Sequence, residues 1–91
     1  MYDLKELGIL ANALTIREIP FALTKCNDGW SIVGKEWDVA INIMTIGSAD
    51  GFLELYVWGE QYDPETSGIY GGLLGADVIA KLQKKGLIPK D

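Results

Sequence analysis

The stretch from Trp37 to Trp58, WDVAINIMTIGSADGFLELYVW, decides the fold. Trp37 to Ile46 is the longest β-like run in the chain, rich in valine and isoleucine. Gly47-Ser48-Ala49-Asp50-Gly51 follows and reads as a turn, because glycine and short polar residues relieve the backbone there. Phe52 to Trp58 then alternates. Leu53, Leu55 and Val57 point one way, and Phe52, Glu54, Tyr56 and Trp58 the other. Val39, Ile41 and Ile43 alternate in the same manner with Ala40, Asn42 and Met44. Strands joined by so short a turn run antiparallel, since a parallel pair needs a long crossover. The purely aliphatic side demands a cover, which leaves Asn42, Met44, Glu54, Tyr56 and Trp58 on an open face.

Upstream, Phe21 to Cys26 and Trp30 to Val33 read as two further strands. Asn27-Asp28-Gly29 between them is a strong hairpin signal, and Gly34-Lys35-Glu36 reads as the connection to Trp37. Before them, Leu4, Leu7, Leu10, Ala11 and Leu14 recur at helical spacing, which predicts an amphipathic helix over 4–17. Asp3 and Glu6 have the spacing of a capping box at its start. Gly8 weakens the helix by roughly 1 kcal/mol relative to alanine, and Pro20 ends it. Downstream, the five glycines and prolines of Gly59 to Gly72 indicate a long loop. Ala76 to Lys85 forms a second helix, with Gly86 as its left-handed cap and Pro89 preventing resumption. The expected fold is a single α+β domain over 1–91. It is a two-layer sandwich of order α-β-β-β-β-α, with a four-stranded antiparallel meander and both helices on one face.

Charge is distributed unevenly. Between Glu36 and Ala80 there is no lysine, arginine or histidine, while Glu36, Asp38, Asp50, Glu54, Glu60, Asp63, Glu65 and Asp77 all fall there. Lys81, Lys84, Lys85 and Lys90 follow, within a net charge of -5. Such a middle section repels phosphate and attracts cationic surfaces. Apolar content is 48%, which is globular. No apolar run approaches the ~18 residues that cross a bilayer. The N-terminus lacks the basic region of a signal peptide, and the one cysteine, Cys26, suits a reducing compartment. A cytoplasmic protein is expected.

The chain has no histidine, so Ser-His-Asp, Cys-His and HExxH sites cannot be built. There is no phosphate-binding glycine loop of Walker type, and Gly71, Gly72 and Gly75 lack the preceding strand of a dinucleotide fingerprint, so they read as a tight turn into the last helix. Asp63-Pro64-Glu65-Thr66-Ser67-Gly68 imitates the first half of a calcium loop, but Leu74 occupies the place of the bidentate glutamate. No catalytic, cofactor-binding or metal residue is assigned, and a small enzyme is the weakest of three readings. Aromatic residues without a basic groove suit a protein interface better than nucleic-acid stacking. The candidate protein-binding residues are Asn42, Met44, Glu54, Tyr56, Trp58, Glu60, Tyr62, Asp63, Glu65 and Tyr70, the last four lining a rim from Tyr62 to Tyr70.

The passages Ile19-Pro20-Phe21, Asp28-Gly29-Trp30, Trp37-Asp38 and Asp50-Gly51-Phe52-Leu53-Glu54-Leu55, in this order of elements, resemble small accessory proteins of phages and prophages of Gram-positive bacteria. Proteins of that size and source include anti-CRISPR inhibitors, some of them acidic and acting by occluding basic nucleic-acid channels. The resemblance implies a non-enzymatic inhibitor or modulator of a basic, nucleic-acid-handling host protein, working in the host cytoplasm without contacting nucleic acid or membrane itself. The alternative is a homo-oligomeric accessory protein, for instance a homodimer through the open sheet face.

Overall fold

The computed structural model describes residues 4–26, 29–38, 41–47, 51–59 and 68–91, of which 35–38, 41–47, 58–59 and 68 are described by backbone and register. The elements are α1 (Lys5–Ile16), β1 (Ala22–Cys26), β2 (Gly29–Asp38), β3 (Ile41–Gly47), β4 (Leu53–Gly59), β5 (Gly68–Leu73) and α2 (Gly75–Lys84). The class is α+β with two helices, but the sheet differs from the expected four strands. It has five, in the order β1-β2-β3-β4-β5, each antiparallel to its neighbour.

The additional strand, β5, lies in the segment that reads as loop. Three of its six residues are glycine, which lowers strand propensity. It forms because Tyr70 pairs with Leu55 and Leu73 with Leu53, so that both reach the aliphatic side of β4. Three steps along β5 against two along β4 leave one extra residue, a bulge. Gly72 supplies the positive φ of +66° that this bulge requires. The second correction concerns Trp37 and Asp38, which belong to β2 rather than β3. Gly34-Lys35-Glu36 is not a turn: the register shifts between Gly34 and Asp38 while the strand continues. A glycine within a strand marks an irregularity as readily as a turn.

One core joins the helices to the sheet. Leu7, Leu10 and Leu14 of α1 and Val78, Ile79 and Leu82 of α2 are buried with Ile32, Leu53, Leu55, Val57 and Leu73. Both helices therefore lie against the Leu53-Leu55-Val57 side of the sheet. Each such leucine or isoleucine contributes about 1.5–3 kcal/mol on burial.

The helices meet at Gly75, the first residue of α2. A Cβ there would sit 2.9 Å from the carbonyl oxygen of Glu6, 3.0 Å from Ile9 Cγ2 and 3.1 Å from the nitrogen of Leu10. Only hydrogen in place of a side chain allows this approach. The Gly75 N–H donates to Glu6 Oε1 at 2.9 Å, and the Leu74 N–H donates to Asp77 Oδ2 at 3.0 Å. Two carboxylates thus meet the positive end of α2. Glu6, expected to cap its own helix, caps the other one, and α1 has no side-chain cap at Leu4. Asp3 lies outside the described residues.

Both helices end alike. In α2, Gly86 N–H donates to the Gln83 carbonyl at 3.0 Å and Leu87 N–H to the Leu82 carbonyl at 2.9 Å, with Gly86 at φ +75°. This is the Schellman pair of bonds, and it turns Leu87 and Ile88 into the core. In α1, Glu18 N–H donates to Thr15 and Ile19 N–H to Leu14, each at 3.0 Å. The left-handed position is held there by Glu18, at φ +57°. The helix thus stops by its own cap before Pro20. Arg17 extends from this end to Asp91, donating to both carboxylate oxygens at 3.0 and 2.7 Å.

Three substitutions test these local accounts by urea unfolding, read as midpoint shifts at unchanged slope. Gly75→Ala is expected to lower stability by about 1–3 kcal/mol through overpacking against α1. Gly8→Ala, where a Cβ meets nothing within 4 Å, is expected to raise it by about 0.5–1 kcal/mol. Glu18→Gly is expected to raise it by up to about 1 kcal/mol by relieving the left-handed residue. Equal effects at positions 8 and 75 would contradict the packing described.

Candidate functional site

Register places residues of the sheet in rows that cross it. On the helix side, one row runs Leu23, Ile32, Thr45, Leu55, Tyr70. On the opposite side, a row runs Ala22, Val33, Met44, Tyr56, Ile69, and the next runs Thr24, Ser31, Ile46, Glu54. Asn42 and Trp58 form a third pair on that side. No helix lies on this face among the described residues. An antiparallel sheet commonly leaves one side to solvent, and that side is ordinarily polar. Here it carries an apolar stripe that ends in Ile69, 71% exposed, with Phe52 also exposed beside β4.

Glu54 and Tyr56 occupy neighbouring positions of this face and are tied together. Tyr56 Oη donates to Glu54 Oε2 at 2.6 Å, the short distance typical of a hydroxyl bonded to a carboxylate. The bond fixes an acid beside an aromatic ring on a strand rather than on a loop. The β5 bulge falls opposite Glu54, so Gly71 and Gly72 offer it no side chain on that flank, and a Cβ on either would meet nothing within 4 Å. The carboxylate hydrogen bond holds the Tyr56 phenol above its ordinary pKa, with burial and the negative charge of Glu54 adding to the effect.

Of the residues the sequence singles out, Asn42, Met44, Glu54, Tyr56 and Trp58 are placed by register on one face. Glu60, Tyr62, Asp63 and Glu65 lie outside the described residues, as does most of the calcium-loop imitation. Tyr70 belongs elsewhere: it is a strand residue on the helix side, packed against the core. Lys81 Nζ lies 4.6 Å and Lys85 Nζ 5.3 Å from its ring centroid, a cation–π arrangement. A hydrogen bond with Lys85 lowers the Tyr70 pKa, burial opposes this, and the charges of Lys85, Lys81 and Lys84 lower it further. The lysines of α2 thus have a partner in the fold besides the helix dipole. Pattern reading missed Ile69 and Val33 as open-face residues. The alternation within Gly68–Leu73, broken by one glycine, was the available signal.

Among the described residues no group of histidine, cysteine, aspartate and glutamate is arranged to hold a metal ion. Among the same residues no helix is long and apolar enough to cross a membrane. No protein-family model, curated protein or solved structure matches this chain.

The two described tyrosines shift in opposite directions, which gives a direct check. With pKa raised, Tyr56 favours the fold in its neutral form, and that contribution is lost as pH rises through its folded pKa. With pKa lowered, Tyr70 favours the fold in its ionised form, a contribution that grows as pH rises through its folded pKa. The chain has four tyrosines. In a spectrophotometric titration, Tyr70→Phe is expected to remove the low-pH end of the phenolate rise and Tyr56→Phe the high-pH end. A titration of unchanged breadth in both variants would contradict the two contacts.

Proposed function

We propose that this chain is a non-enzymatic protein-binding module. In this reading it inhibits or modulates a basic, nucleic-acid-handling protein of a host cell through the open face of its sheet. The observation that carries the proposal is the composition of the open face around the Glu54–Tyr56 pair. Among the described residues that register places on the open face, none is lysine or arginine, and the one charged group is Glu54, held by Tyr56. A fixed acid within an apolar and aromatic stripe suits a cationic partner. The acid steers encounter with lysine- or arginine-rich surface, and Tyr56, Trp58 and Ile69 slow dissociation by excluding water.

Direct binding of duplex DNA through this face is disfavoured, since no described residue that register places there is a cation able to displace counterions from phosphate. Self-association through the same face is the second reading, and Ile69 and Phe52 favour it. A two-fold dimer centred near Glu54 would, however, bring two carboxylates together in an apolar setting, which is costly.

The test is affinity capture from a bacterial lysate at low and high salt, with light scattering of the isolated protein. Capture of basic nucleic-acid-binding proteins, released by salt and lost with Glu54→Lys or Trp58→Ala, is the expected result. A stable dimer that Ile69→Lys dissociates would transfer the face to self-association. Tight duplex DNA binding without protein capture would overturn the proposal.

A further inference from the structure

The second surface with unusual chemistry lies on the other side of the sheet, at its first edge. Leu4, Leu7, Gly8 and Ala11 of α1 face Leu23 of β1 and Trp30 of β2 across a cavity of about 290 Å³. All six residues are apolar or glycine, and the indole N–H of Trp30 is the one side-chain hydrogen-bonding group among them. Roughly 150 Å³ suffices for a benzene ring, so a phenyl or branched aliphatic group fits. Gly8 contributes to the opening. A helix-interior glycine is unfavourable, and no neighbour demands it here, because a Cβ would meet nothing within 4 Å.

An independent feature borders the same cavity. Among the described residues β1 is the edge of the sheet and pairs with β2 alone. Cys26 and Gly29 are register partners with two residues between them in the chain, the position of the hydrogen-bonded pair that closes a two-residue hairpin. Alternation makes Thr24 and Ser31 the next such pair, in agreement with the bond from Ser31 Oγ to the Thr24 carbonyl at 3.4 Å. The N–H and C=O groups of Leu23 and Lys25 are therefore directed away from β2, toward the edge. Leu23 presents both an outward main chain and a side chain, 53% exposed, at the cavity mouth. Lys25, two positions on and exposed, is on the same side of the sheet.

We propose that β1 and this cavity form a docking site for an extended segment of a partner protein. The segment adds to the sheet as a sixth strand beside β1. It places one large apolar side chain between Gly8, Leu23 and Trp30, and an acidic side chain two positions away opposite Lys25. Main-chain bonds to Leu23 and Lys25 supply affinity, and the alternate side chains supply selectivity. Charge favours this occupant over a second copy of the chain, because β1 itself brings a lysine and no acid. Antiparallel self-pairing of β1 centred on Thr24 sets Lys25 against Leu23 at the cavity. Centred on Lys25, it sets two ammonium groups together. An edge lysine resists such self-pairing while accepting an acidic segment. The site is distinct from the open face, and either can fail without the other.

The experiment uses the full chain, immobilised, and a pool of terminally blocked pentapeptides Thr-X-Thr-X-Thr with both X positions fully varied. The expected result is enrichment of peptides bearing Phe, Leu or Ile at one X and Asp or Glu at the other. Lys25→Glu is expected to reverse the charge preference at the second position. Gly8→Phe, which fills the cavity from α1, is expected to weaken binding of an enriched peptide at least tenfold. Leu23→Glu serves as a second block on an exposed strand position should Gly8→Phe fold poorly. N-methylation of the enriched peptide's backbone is expected to abolish binding. Absence of enrichment over the Gly8→Phe or Leu23→Glu protein, or equal binding of the N-methylated peptide, would overturn the proposal.

Discussion

The close approach of the two helices at Gly75 is the constraint on which the rest of the structure depends. Because position 75 has no side chain, α2 begins directly against the α1 backbone at Glu6, Ile9 and Leu10. The same contact brings the Glu6 carboxylate to the Gly75 N–H. A helix placed there lies beside α1, not across the sheet from it, so Val78, Ile79 and Leu82 enter the core that Leu7, Leu10 and Leu14 already line. Both helices are used on one face, and the described chain leaves nothing for the other. That no described helix covers the opposite face is thus a consequence of how the helices pack, and the composition of that face then acquires meaning.

Much of this was legible in the residues. The alternation of Leu53, Leu55 and Val57 with Glu54 and Tyr56 named the two faces of β4 because burial on one side imposes a period of two. Gly86 announced its left-handed cap because few other residues accept that conformation at low cost. The α1 stripe was readable for the same kind of reason. What was not legible depended on partners distant in the chain. Gly68–Leu73 looks like a loop by propensity and becomes a strand only because β4 and the core reward Tyr70 and Leu73. Glu6 has the spacing of a local cap, yet its acceptor is used by a residue sixty-nine positions away. The close contact at Gly75 carries no local mark that distinguishes it from the β5 glycines Gly71 and Gly72. Tyr70 was placed with the acidic rim because its segment was read as loop, whereas its strand parity puts it under the lysines of α2.

The candidate site was half visible. Pattern alone put Asn42, Met44, Glu54, Tyr56 and Trp58 on one face, and the register agrees. It could not show that Tyr56 fixes the Glu54 carboxylate, or that the stripe continues to Val33 and Ile69 across two further strands. The charge bias read along the chain has a local counterpart in the fold: Lys81 and Lys85 gather at Tyr70, while Glu54 is the one charged group among the described residues that register places on the open face. An acid fixed on a rigid strand loses little freedom on binding, which is the physical ground of the proposal that this face takes a basic partner.

The central claim is that the helix pair covers one side of the sheet and that Glu54, Tyr56 and Ile69 on the other side stay within reach of solvent, although Ser31 on that side is buried. Paramagnetic relaxation of side-chain protons by a soluble, uncharged gadolinium chelate measures this directly along β4. The account predicts strong relaxation at Glu54, Tyr56 and Ile69 and little at Leu53, Leu55 and Val57. Equal shielding of the two sets would contradict it.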